Sequence, residues 1–252
     1  LHMKTLFLPL LAFFALKAVS QERDAFRLGV QWGLHGNDAE LTGGMENANA
    51  HFYHNSFGGG SLRIEARYDF NHRWALMTGL GFSSYGFEYA LSENYSLKSD
   101  LGRFSTIRSE IGALEIPLMG FYKFTPNCRN AKWIVGAGLT NNLIGEQNIS
   151  RNFKEDAEGI KKKNYLTSET KVNGGIYTML RFSIGRERVF KKGGIFNASM
   201  VFNFGGRNMA TSKVVYKSDG QDYNHEFTNK GNFAGFRLTY FFRPLAQQAT
   251  VK

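Results

Sequence analysis

The chain has 252 residues, a formal net charge of +10, 15% aromatic residues and 28 glycines against 4 prolines. Its one cysteine, Cys128, excludes an internal disulfide and a cysteine-based metal site. No stretch after the N-terminal region is the run of about 20 apolar residues that a transmembrane helix needs.

The first element reads as a leader. Met3-Lys4 supplies a basic start, Leu6 to Leu16 an apolar run, and Ala18-Val19-Ser20 the small residues ahead of a cleavage point, with Gln21 as the new terminus. Residues 1–20 are assigned as a signal peptide, Leu1-His2 being non-native residues ahead of the natural start, and 21–252 as one domain. Loss of Lys4 and Lys17 lowers the net charge from +10 to +8. A secreted basic chain meets anionic lipid headgroups and surface phosphates rather than nucleic acid.

Alternation with period two then predicts about eight strands. The first covers Phe26 to Leu34, with Phe26, Leu28, Val30, Trp32 and Leu34 on one face. In the second, Leu62 to Phe70, apolar Leu62, Ile64, Ala66, Tyr68 and Phe70 alternate with Arg63, Glu65, Arg67 and Asp69. The third runs from Trp74 to about Phe87 and sets Trp74, Leu76, Leu80 and Phe82 against small Ala75, Gly79, Gly81 and Ser83. The fourth, Gly112 to Phe124, opposes Leu114, Ile116, Leu118, Tyr122 and Phe124 to Glu115, Pro117, Met119, Phe121 and Lys123. Pro117 cannot donate to a ladder and marks a local break or bulge.

The fifth strand, Trp133 to Ile144, turns Gly136, Gly138 and Thr140 inward. The sixth, read as one strand from Lys171 to Ile184, puts Lys171, Asn173, Tyr177, Arg181 and Ser183 on one face. The seventh is Ile195 to Phe204, and the last, Phe233 to Phe242, sets Phe236, Leu238, Tyr240 and Phe242 opposite Arg237 and Thr239.

Short links fall around Asn71, Pro126 and Arg186 to Gly194. Long polar connections fall at about Gly36 to Ser56, Tyr89 to Ser109, Gly145 to Glu169 and Arg207 to Lys230. Loops sorted by length, with aromatics clustered at the short-turn ends, predict an all-β fold: a closed antiparallel up-and-down transmembrane barrel with short periplasmic turns and long extracellular loops. Closure also removes the exposed edges that such strands would otherwise present.

An eight-stranded barrel is filled by its own side chains. Arg63, Glu65, Arg67, Asp69, Glu115, Lys123, Lys171, Arg181 and Arg237 are therefore expected inside as a paired, structural charge ladder. The inner glycines of the third and fifth strands leave some room for water, and a narrow porin-like channel is the alternative. Lys154, Lys161, Lys162 and Lys163 in the third long loop are candidate contacts for anionic lipid, lipopolysaccharide or a partner protein. An enzymatic alternative rests on His54 and Ser56, spaced like the base and nucleophile of a lipid A deacylase, with Glu46 or Glu65 to orient the imidazole. His35, His51, His72 and His225 fall mostly in loops without metal-ligand spacing. No catalytic site, metal or cofactor is assigned, and the leading expectation is a non-enzymatic structural or surface-interaction barrel, monomeric in the membrane.

Leu114-Glu115-Ile116-Pro117-Leu118 with Tyr122-Lys123-Phe124, Gly136-Ala137-Gly138, and the closing Gly235 to Phe242 resemble the small outer-membrane barrels of Bacteroidetes, the porin-family or PorT-like barrel domain. The resemblance covers nearly the whole chain after the leader. It implies an outer-membrane barrel of a Gram-negative cell, with one branch of the family linked to a secretion apparatus. The aromatic last strand resembles the signal read by barrel-assembly machinery, although Arg243 to Lys252 follow it here.

Overall fold

The computed structural model describes residues 26–37, 40–44, 50–55, 58–93, 104–124, 131–154, 165–191, 193–218 and 221–243. The leader, Cys128 and the Pro126 turn lie outside them. The strands are β1 (Phe26–Asn37), β2 (Glu40–Gly44), β3 (Ala50–Asn55), β4 (Gly58–Asp69), β5 (Trp74–Glu93), β6 (Phe104–Phe124), β7 (Ala131–Ile144), β8 (Gln147–Lys154), β9 (Tyr165–Val172), β10 (Gly175–Val189), β11 (Ile195–Gly205), β12 (Ala210–Ser218), β13 (Gln221–Asn229) and β14 (Phe233–Phe241).

Eight of these close into the expected antiparallel ring, β1–β4–β5–β6–β7–β10–β11–β14 and back to β1. Closure leaves no unpaired strand edge facing lipid. Tight turns join the strands at the end away from β2, β8, β9, β12 and β13. In one, the Asn71 side-chain oxygen accepts from the backbone N–H groups of Arg73 and Trp74, each at 2.8 Å. In another, Gly193 takes φ +85°, and Phe190 N–H donates to Gly194 O at 2.8 Å. Pro117 breaks the β5–β6 ladder opposite Gly79 and Leu80 without shifting its register. Its carbonyl instead accepts from Thr78 Oγ1 at 2.8 Å.

The outward face of the ring is an apolar belt. Its upper rim carries Leu34, Phe82, Leu143, Ile176, Phe204 and Phe236. At the short-turn rim, Trp74, Tyr122 and Phe124 meet edge to face at 4.8 Å, and Tyr68 meets Phe70 at 5.0 Å. Such amphipathic rings sit where lipid gives way to headgroups.

The segments expected as long loops are largely strands. The sheet β2–β13–β12–β9–β8 repeats the order β1–β14–β11–β10–β7, so it stacks on the barrel as an extension of those five strands. β3 prolongs β4 against the far end of β5. The connections between the two levels are short: Gly145-Glu146, Asn173-Gly174, Gly206 to Met209 and Lys230 to Asn232, with Gly231 at φ +78°. A hydrogen-bonded ion pair from Lys230 Nζ to Glu40 at 2.7 Å ties β2 to this level and holds the Glu40 carboxyl below its usual range.

Across these connections the faces exchange solvent preference. Below, apolar side chains point out, and most inward positions are polar or charged around one apolar layer. Above, Leu166, Val172, Val214, Tyr216 and Phe227 point in, joining Tyr85, Ile111, Ile144, Tyr177 and Met179 in one apolar core. Three strand pairs change parity at the break: β10 buries odd positions and β9 even ones, β11 odd and β12 even, while β7 buries even positions and β8 turns odd Ile149 inward. The break line is where the apolar outward face of the ring gives way to polar Glu169, Lys171 and Lys213.

Leu180→Arg, on the lipid face of β10, is expected to destabilise the folded barrel by about 2–4 kcal/mol in urea titrations in bilayers. Lys171→Glu, above the break, should stay within about 0.5 kcal/mol of the wild type.

Candidate functional site

Alternation carries one charged side chain after another into the lumen, where two ionic groups form. The upper one centres on Glu115 of β6. Its Oε1 accepts from Arg63 Nη1 at 2.7 Å and pairs with Arg181, while Ser83 donates to Oε2. Arg63 Nε also donates to Gln31, and Arg181 Nε donates to Asn203 at 3.1 Å. Glu65 lies 3.6 Å from Arg63 and 3.8 Å from Arg237.

The lower group centres on Arg67, which donates to Glu187 at 2.5 Å and to Asp69 at 2.9 and 3.0 Å. Lys123 donates to the same Asp69 oxygen at 2.5 Å, and Arg27 donates to Gly193 O at 2.6 Å. Buried ions persist when opposite charges and hydrogen bonds replace lost water, and most of these ions have both.

Apolar layers close the remaining space. Met77, Met119, Phe121, Ile134, Ile195 and Phe241 fill the lower level, with the Arg67 guanidinium over the Phe241 ring at 5.2 Å. Above, Phe233 stacks on His35 at 4.3 Å and lies under the Arg181 guanidinium at 5.4 Å. The cavities against the two ionic groups measure about 20 and 10 Å³, close to the space of one water. The inner glycines do not hold open space for water, contrary to expectation. A Cβ at Gly136 would come within 2.5 Å of Phe121, one at Gly138 within 2.9 Å of Met119, and one at Gly81 would collide with Arg63. These glycines make room for the plug.

Of the expected ladder, Arg63, Glu65, Arg67, Glu115, Lys123, Arg181 and Arg237 are buried in the lumen, with Asp69 half-buried near the short-turn mouth. Lys171 is a correction. It is exposed on the outer face of β9, because the Asn173-Gly174 break and Gly175 at φ +145° reset the alternation. His35 and His225 are also corrected, since both are buried in strands. Glu187, Gln31 and Asn203 joined the network unforeseen. Glu187 shares the parity of Arg181 and Ser183 but lies beyond Ile184, the predicted end of the sixth strand, whereas β10 continues to Val189. Lys161, Lys162 and Lys163 lie outside the described residues, as do the side chains of Lys154 and His54 and the whole of Ser56.

The family model described as outer membrane protein beta-barrel domain matches residues 19–208, and the chain belongs to that family. It is an outer-membrane barrel. Among solved structures it is similar to the outer membrane protein OprG from Pseudomonas aeruginosa, at 12% identity over 87% of this chain and 96% of that one, with a TM-score of 0.46. A major outer membrane protein from Thermus thermophilus gives 13%, 87%, 99% and 0.41, and AlkL in lipid bilayers gives 13%, 89%, 93% and 0.37. At these values nothing is transferred from them. No curated protein matches the chain.

Glu115→Ala strands the guanidiniums of Arg63 and Arg181 in a dry interior. It is expected to cost about 3–5 kcal/mol of unfolding free energy. Glu110→Ala, at an exposed position of the same strand, should change it by less than about 0.5 kcal/mol.

Proposed function

We propose that this outer-membrane protein is a monomeric, non-enzymatic barrel with a structural or surface-interaction role, whose lumen is sealed against solutes. The observation that carries the reading is that the described side chains fill the lumen at the level of both ionic groups. Ion pairs centred on Glu115 and Arg67 lie between apolar layers, and the adjoining cavities are near the size of one water. A small-solute channel would need a polar path wide enough for a hydrated solute, and its walls would have to release these pairs.

The extracellular extension supplies the surface for contact. Across its outer face, Lys213 stands opposite Glu169 on β9 and Glu226 on β13, one cation between two carboxylates. Lys171 lies on the same face. The partners that fit are lipopolysaccharide phosphates, or the acidic face of another envelope protein, with Lys154 and Lys161 to Lys163 as the first cations to test. The Bacteroidetes small-barrel branch is the proposed placement within the family, on the motifs around Glu115 and Lys123. The leader assignment of residues 1–20 and passage through the barrel-assembly machinery belong to the same proposal.

Planar-bilayer recordings test the sealed lumen. Protein refolded into bilayers should show no discrete conductance steps above the bare-membrane baseline. Reproducible unit steps would overturn the reading in favour of a narrow channel.

A further inference from the structure

The two ionic groups differ in how their charge is balanced. Among the described residues each contains three cations and two carboxylates: Arg63, Arg181 and Arg237 with Glu65 and Glu115 above, and Arg27, Arg67 and Lys123 with Asp69 and Glu187 below. The lower surplus reaches water, since the side chains of Arg27 and Asp69 keep 14% and 19% of their exposure near the short-turn mouth. The upper surplus does not, since the side chains of all five upper ions are at most 3% exposed. A surplus charge in such a compartment is costly unless a counter-charge joins it.

Arg237 is the cation left short. Among the described residues its carboxylate neighbour is Glu65 at 3.8 Å, beyond hydrogen-bond reach, and its Nε and Nη1, like both Glu65 oxygens, have no hydrogen-bond partner. Ser199, opposite Arg237 on β11, also has an unpartnered hydroxyl. The cavity of about 20 Å³ lies against Arg237, bordered by Arg63, Arg181, His35 and Ser61 as well as Glu115. A guanidinium can neither lose its proton to relieve the surplus nor turn its donors into acceptors.

We propose that this cavity is a binding site for a small monovalent anion of halide size, held by the free Nε–H donor of Arg237. The anion brings the upper group to neutrality and enters as the barrel folds. It is a structural component of the plug, and the assignment rests on the sealed lumen proposed above. A water molecule also fits the space, but it supplies no charge.

The full barrel is refolded with bromide in place of chloride, crystallised, and measured at the bromine absorption edge. The expected result is one anomalous peak within hydrogen-bond distance of the Arg237 guanidinium, absent from Arg237→Met and retained in Lys171→Met. Arg237→Lys, which keeps the charge, should hold the peak at reduced occupancy and shows that loss in Arg237→Met is not a folding failure. A cavity with no anomalous signal, or a peak that persists in Arg237→Met, overturns the proposal. Bilayer recordings on the same sample separate the two claims. A silent barrel without a peak sinks the anion alone, whereas a conducting barrel sinks the sealed lumen and the anion with it.

Discussion

The structure depends on one constraint: each long strand crosses from hydrocarbon into water, and the two solvents demand opposite faces. In hydrocarbon, apolar side chains belong outside, and every backbone group must be paired within the protein. In water, the same strand must fold its apolar side chains inward to form a core. Short interruptions at one height meet both demands on four connections, Gly145-Glu146, Asn173-Gly174, Gly206 to Met209 and Lys230 to Asn232, while β5 and β6 run through unbroken and change only the chemistry of their inward side chains. Below that line Leu180, Phe182 and Ile184 face lipid, and above it Leu166 and Val172 face one another's neighbours in a core.

The plug follows from the lower demand. Once the apolar faces are turned to lipid, the polar faces must fill a lumen too narrow for bulk water. Charges placed there are stable only in company, so Glu115 collects Arg63, Arg181 and Ser83, and Arg67 collects Glu187 and Asp69. A buried network of this kind adds less stability than its contacts suggest, since desolvation offsets most of the attraction. Its effect on pairing is more direct. Arg67 of β4 reaches Glu187 of β10 across the barrel, and Arg63 of β4 reaches Glu115 of β6. A slipped strand would separate such partners and turn its charges toward lipid.

Much of this was legible because period two is a property of the strand backbone. The alternation from Leu62 to Phe70 named four lumen ions from a nine-residue segment, and Glu115, Lys123, Arg181 and Arg237 followed from the same rule. Lys171 is misplaced because parity survives only within an unbroken strand, and the Asn173-Gly174-Gly175 turn signal two residues on marks the reset. The strands of the extension read as loops because their apolar positions are sparse: Gln147 to Lys154 offers only Ile149 and Phe153. The inner glycines misled for another reason. Whether Gly81 leaves a void or seats Arg63 is decided by the register of β4 against β5, which no single segment encodes.

The exchange of faces is tested most directly by solvent accessibility along β9 and β10. Single cysteines at Thr167, Glu169, Lys171, Ile176, Leu180 and Phe182, in a Cys128→Ser background, are spin-labelled and reconstituted in bilayers. Collision with oxygen, which partitions into lipid, is compared with collision with a water-soluble nickel chelate. The first three sites should report water and the last three lipid, with the change falling at Asn173-Gly174. A shielded Lys171 position, in one continuous phase with the inward face of β10, would contradict the account.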